Sequence, residues 1–82
     1  MMEFKINLQG DFNNAQILAR LLLDFASDVD LCIDHYVVDG KSLFGVLSLN
    51  FNRDITVKIN EKKAGETFRI RDLMKNYGFL VE

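Results

Sequence analysis

The sequence predicts an α+β fold: a two-layer, open-faced sandwich in which a four-stranded antiparallel sheet carries helices on one face. Four segments alternate apolar and polar side chains, the mark of strands with one buried and one wet face. Between them, apolar residues recur at helical spacing, giving the order strand, helix, strand, strand, short helix, strand, helix. A sheet with a single apolar face needs helices to cover it, which yields two layers. The 82 residues, 49% hydrophobic and 27% charged, suit one domain spanning 1–82.

The first strand is read at Glu3-Phe4-Lys5-Ile6-Asn7-Leu8, ended by Gly10. A helix follows to about Ser27, with Asn13 as its cap, Gln16 completing a capping pattern, and Phe12 stapled against Ile17. Ala15, Leu18, Leu21, Leu22 and Phe25 form its core stripe, while Gln16, Arg20 and Asp24 lie away from it. Val29, Leu31 and Ile33 alternate with Asp30, Cys32 and Asp34 in a second strand, placing Cys32 on the polar face. A turn at Asp34-His35 leads to a third strand, Tyr36 to Asp39. Ser42 to Leu49 fits a short helix that Gly45 weakens by up to ~1 kcal/mol relative to Ala. Ile55, Val57 and Ile59 mark the fourth strand, and Asn60 to Gly65 a charged loop. Ile70, Leu73, Met74 and Tyr77 recur in a last helix, started by Thr67 or a neighbour and ended by Gly78 in the left-handed conformation.

Composition narrows the function. The longest apolar run, Leu21 to Leu23, is far below the ~20 residues of a membrane span, and no signal-peptide pattern is seen, so a cytoplasmic protein is expected. Cys32, the single cysteine, and His35, the single histidine, are too few for a structural zinc site; no metal and no cofactor are expected. A net charge of -2 offers no basic field for nucleic acid. Proteins are the expected partners.

The most specific stretch is Lys41-Ser42-Leu43-Phe44-Gly45-Val46-Leu47-Ser48-Leu49. Locally, Ser42 is a helix cap, and a phosphate on it would sit at the positive end of the helix dipole. Leu43, Phe44 and Leu47 cannot all face inward together with Val46 and Leu49, so some are candidates for partner binding; the alternative is that Phe44 folds onto the sheet edge. The segment resembles, at identical spacing, the Lys-Ser-Ile-Met-Gly-Val-Met-Ser-Leu stretch of HPr, the histidine-containing phosphocarrier family of the bacterial phosphoenolpyruvate-dependent sugar phosphotransferase system. Ala26-Ser27, Val29-Asp30-Leu31 and Asp34 also fall on the family pattern. The first helix, or the loop after it, comes out about two residues shorter than usual, and the last helix matches by periodicity alone.

This resemblance implies the HPr-like β-α-β-β-α-β-α sandwich. In the family, a histidine in a Gly-Ile/Leu-His-Ala/Thr-Arg-Pro-Ala motif accepts phosphate from enzyme I. Here the stretch reads Gly10-Asp11-Phe12-Asn13-Asn14-Ala15-Gln16, so Asn13 falls at the phosphohistidine position, and Ala15 and Gln16 replace the arginine and proline. An amide is no nucleophile toward phosphate at neutral pH. His35 reads as a turn residue, tolerant of positive φ, and Cys32 as a small residue on the outer sheet face with no base near it in sequence. What survives is the family's second site, a serine phosphorylated by HPr kinase, after which the protein binds a transcriptional repressor in carbon catabolite repression. Ser42 matches it. The expectation is a non-catalytic regulatory relative, not an enzyme, that meets HPr kinase, a repressor or other phosphotransferase-system components. A degenerate phosphocarrier and a diverged interaction module unrelated to sugar uptake are the alternatives.

Overall fold

The backbone of the computed structural model, described here for residues 2–81, follows the expected order. Its elements are β1 (Met2–Ile6), α1 (Phe12–Leu22), β2 (Asp28–Ile33), β3 (Tyr36–Asp39), α2 (Leu43–Leu47), β4 (Ile55–Asn60) and α3 (Glu66–Asn76). The four strands form an antiparallel sheet in the order β1-β4-β2-β3. Residues directly opposite one another share a face. One inner row therefore runs Phe4, Val57, Leu31, Val38, and another begins Met2, Ile59, Val29. Against these pack Ala15, Leu18 and Leu22 of α1, Val46 of α2, and Ile70 and Met74 of α3, all buried.

The outer rows are Lys5, Thr56, Cys32, Val37 and Glu3, Lys58, Asp30, Asp39. Lys58 stands between two carboxylates, a favourable cross-strand arrangement. Cys32 lies on this face as its alternation implies, but it is buried rather than wet. It floors a hollow lined by Lys5, Asp34, Arg53, Asp54 and Thr56.

Helix α1 is shorter than its apolar periodicity suggests. Leu23, Asp24 and Phe25 donate to Arg20, Leu21 and Leu22, three residues back, at 3.3 Å each, so the helix tightens and stops. A carboxylate then claims the next two residues. Glu66, only 2% exposed, accepts from Ala26 N–H (3.1 Å), Ser27 N–H (2.8 Å) and the Ser27 hydroxyl (2.7 Å). Ser27 Oγ in turn accepts from Lys62 N–H at 2.9 Å, joining the end of α1, the loop after β4 and the start of α3.

Thr67 does not cap α3. Gly65 holds the cap position at φ 85° without a side-chain bond, and Glu61 reaches in to accept from Thr67 N–H at 3.0 Å. The far end agrees with the sequence. Gly78 has φ 78°, its N–H donates to Lys75, and Phe79 N–H donates to Met74 at 2.8 Å, a Schellman closure. In the β2–β3 turn the positive φ falls on Asp34 (53°), not on His35. Arg53 braces that turn with bonds of 2.8 and 3.3 Å to the Asp34 carboxylate, whose pKa they lower.

The Ser27 hydroxyl bond, helped by the Ala26 and Ser27 amides and Arg69 against the cost of burial, holds the Glu66 carboxyl below its ordinary 4.5. A depressed pKa stabilises the fold fully above the unfolded value and ceases to do so as pH falls through the folded value. Urea unfolding across acid pH is expected to show Glu66→Gln less stable than wild type at neutral pH. The difference should shrink on acidification below about 4.5.

Candidate protein-binding site

The α2 segment is exposed in the way a docking surface requires. Ser42 is its N-cap, at φ -95° and ψ 113°, and its Oγ accepts from Gly45 N–H at 3.2 Å. Val46 and Leu49 point into the core and Leu47 is half-buried against it. Leu43 is 45% exposed and Phe44 85%, so Phe44 does not fold onto the sheet edge.

So short a helix needs holding from outside. Ser48 Oγ donates to the Gly45 carbonyl at 2.6 Å and lies 2.7 Å from the Tyr36 hydroxyl. Lys41 Nζ donates to the Phe25 carbonyl at 2.6 Å, anchoring the start of α2 to the loop after α1. At Gly45, α2 lies close against β3. A Cβ there would stand 3.3 Å from Val38 Cβ and from Ser42 Cβ and Oγ, so the intrinsic helix weakness of this glycine accompanies close packing.

Leu43 and Lys41 form one wall of a groove whose other wall is Gln16, Ala19 and Arg20 of α1 and Leu23 just after it. Gln16 and Arg20 also border a second groove with Asn13, Ile17, Leu21 and Tyr77. The exposed side of α1 thus continues the α2 surface. Sequence reasoning missed Ile17 and Leu23 as part of it. The available signal was that both are apolar yet stand off the Ala15, Leu18, Leu22 stripe.

Asn13 is not the helix cap. Asp11 is, at φ -100° and ψ 116°, and its carboxylate accepts from Asn13 N–H at 2.8 Å. The chain turns into the helix through Gln9 and Gly10, both at positive φ, which starts α1 two residues earlier than the capping pattern suggests. Phe12 is consequently inside the helix and 53% exposed, and its ring meets Phe51 edge-on at 6.4 Å. Ala15 is buried. His35 lies in the β2–β3 turn and lines neither groove. Among the described residues no group of three His, Cys, Asp or Glu could hold a metal, and no helix is long and apolar enough to cross a membrane.

This arrangement, an open-faced antiparallel sheet with α1 and α2 forming one exposed surface, is an HPr-like fold. Among solved structures, the crystal structure of HPr-C-His from Thermoanaerobacter tengcongensis superposes with a TM-score of 0.73, covering 90% of this chain and 90% of that one. The two are 18% identical, a level that establishes the shared fold. No family model matches the sequence, and no curated protein matches it.

The capping geometry separates two neighbouring residues. Asp11→Ala is expected to cost about 1 kcal/mol of stability in urea unfolding. Asn13→Ala should stay within about 0.5 kcal/mol of wild type.

Proposed function

We propose that this chain is a non-catalytic HPr-like protein that works by docking a protein partner through Leu43, Phe44 and Leu47 under the control of Ser42 phosphorylation. The observation that carries this reading is Phe44, 85% exposed beside the capping hydroxyl of Ser42. An aromatic ring so exposed loses contact with water only when a partner covers it. A phosphate on Ser42 would add negative charge at the edge of that apolar surface, changing which partners fit it. Asn13, taken as the residue at the family's phosphohistidine position, supplies no nucleophile, so the chain is read as neither an enzyme nor a phosphocarrier. The partners this implies are a serine kinase of the HPr kinase type and a transcriptional repressor or other phosphotransferase-system protein, within the cytoplasm, in carbon catabolite repression.

Incubation with a serine HPr kinase and ATP, followed by intact-mass measurement, should add one acid-stable phosphate that Ser42→Ala abolishes. No added phosphate would remove the regulatory part of the proposal. Acid-labile phosphate acquired from phosphoenolpyruvate and enzyme I would instead establish a phosphocarrier. Phe44→Ala and Ser42→Asp are each expected to change the set of proteins recovered from the native cell, and an unchanged set from both would move the docking surface elsewhere.

A further inference from the structure

One hollow lies away from α2. Asp24 and Phe25, just past α1, and Phe68, Arg69, Asp72 and Leu73 of α3 border about 460 Å³ of open space. One set of interactions in it is complete. The Arg69 guanidinium sits over the Phe25 ring, 5.7 Å from its centre, and reaches the buried Glu66 carboxylate at 3.5 Å. Ring, guanidinium and carboxylate satisfy one another because the planar cation stacks with its face and hydrogen-bonds with its edge. A second set is present without its cation. Phe68, 74% exposed, and Asp72 stand four residues apart on one exposed face of α3, and Asp24 lines the hollow from the α1 side. Neither Asp24 nor Asp72 has an ion-pair partner among the described residues. Arg69 is committed to Glu66, and Arg71 and Lys75 of α3 stand outside the hollow.

We propose that this hollow receives an arginine of a partner protein, whose guanidinium stacks on Phe68 and pairs with the Asp24 and Asp72 carboxylates. What the hollow leaves unsatisfied decides the chemistry of the occupant. An acidic segment would meet two like charges, and a purely apolar one would take two carboxylates out of water unpaired. A cation answers both. The exposed ring selects the guanidinium over the compact, strongly hydrated ammonium of lysine, as the Phe25–Arg69–Glu66 set beside it already does within the chain. Phe25 and Leu73, partly buried against the core, give apolar footing to the residues that flank the partner's arginine. This contact shares no residue with the surface of Leu43, Phe44 and Leu47, so either can exist without the other.

Titration of isotope-labelled protein with a Leu-Arg-Leu peptide capped at both ends, followed by amide NMR shifts, tests this. Saturable shifts centred on Asp24, Phe68 and Asp72 are expected, and added salt should weaken the binding. The same peptide with lysine should bind more weakly. Citrulline, which keeps the shape of arginine and loses the charge, should weaken binding about threefold or more, as should Asp72→Asn and Phe68→Ala with the arginine peptide. Both substitutions fall on exposed side chains, and Phe44→Ala should bind as wild type does. Shifts that are absent or fall elsewhere overturn the proposal, as does lysine or citrulline matching arginine, or either hollow variant binding like wild type. Free arginine binding as tightly as the peptide also overturns it, because that marks a site for a small cation and not for a protein.

Discussion

Everything in this fold waits on β4. It is the last strand in sequence, yet it lies between the first and the second, so the sheet is two separate pieces until Ile55, Val57 and Ile59 are inserted. Those three side chains are buried and supply the middle of the inner face on which α1, α2 and α3 rest. Contacts of such sequence separation carry a loop-closure cost before they return any burial. The helices cannot be stable first and the sheet second, because each apolar stripe has its other half on a strand that arrives late.

Closing that long loop leaves polar chain ends in the interior, and Glu66 answers for them. Its carboxylate collects the two amides exposed where α1 stops and orients Ser27 so that its hydroxyl takes the Lys62 amide just past β4. A buried carboxylate with this many donors is a fixed joint rather than a chemical tool. It also sets where α1 ends, and with it the position of the Phe25 carbonyl to which Lys41 is bound. Helix α2 is therefore referenced to the core through a chain of hydrogen bonds, while its own five residues make few.

The periodicities carried the architecture, because burial on one face imprints a repeat of two or of about four on any sequence that folds this way. Val46 and Leu49 inward were readable on those grounds, and so was the need for some of Leu43, Phe44 and Leu47 to face outward, but the choice of Phe44 over the sheet edge was not. Helix ends were not. Asn13 carried a capping pattern, but the positive φ of Gln9 and Gly10 turned the chain early and gave the cap to Asp11, a choice made by tertiary geometry. The role of Glu66 was not legible either, since nothing local marks its partners 39 and 40 residues away. Cys32 obeyed the alternation and still escaped water, because alternation reports the face of a sheet and not how deeply neighbouring side chains cover it.

The strip of chain from Phe79 to Val81 has a consequence beyond tidying β1. A sheet with both edges open can add copies at either side without limit, which is the geometry of a fibre. A sheet whose own chain pairs with part of one edge offers that much less of it for such growth. Two hydrogen bonds, from Asn7 N–H to Phe79 and from Val81 N–H to Lys5, and one bridge between Ile6 and Leu80 thus turn the Lys5–Asn7 end of β1 from a free edge into an interior one.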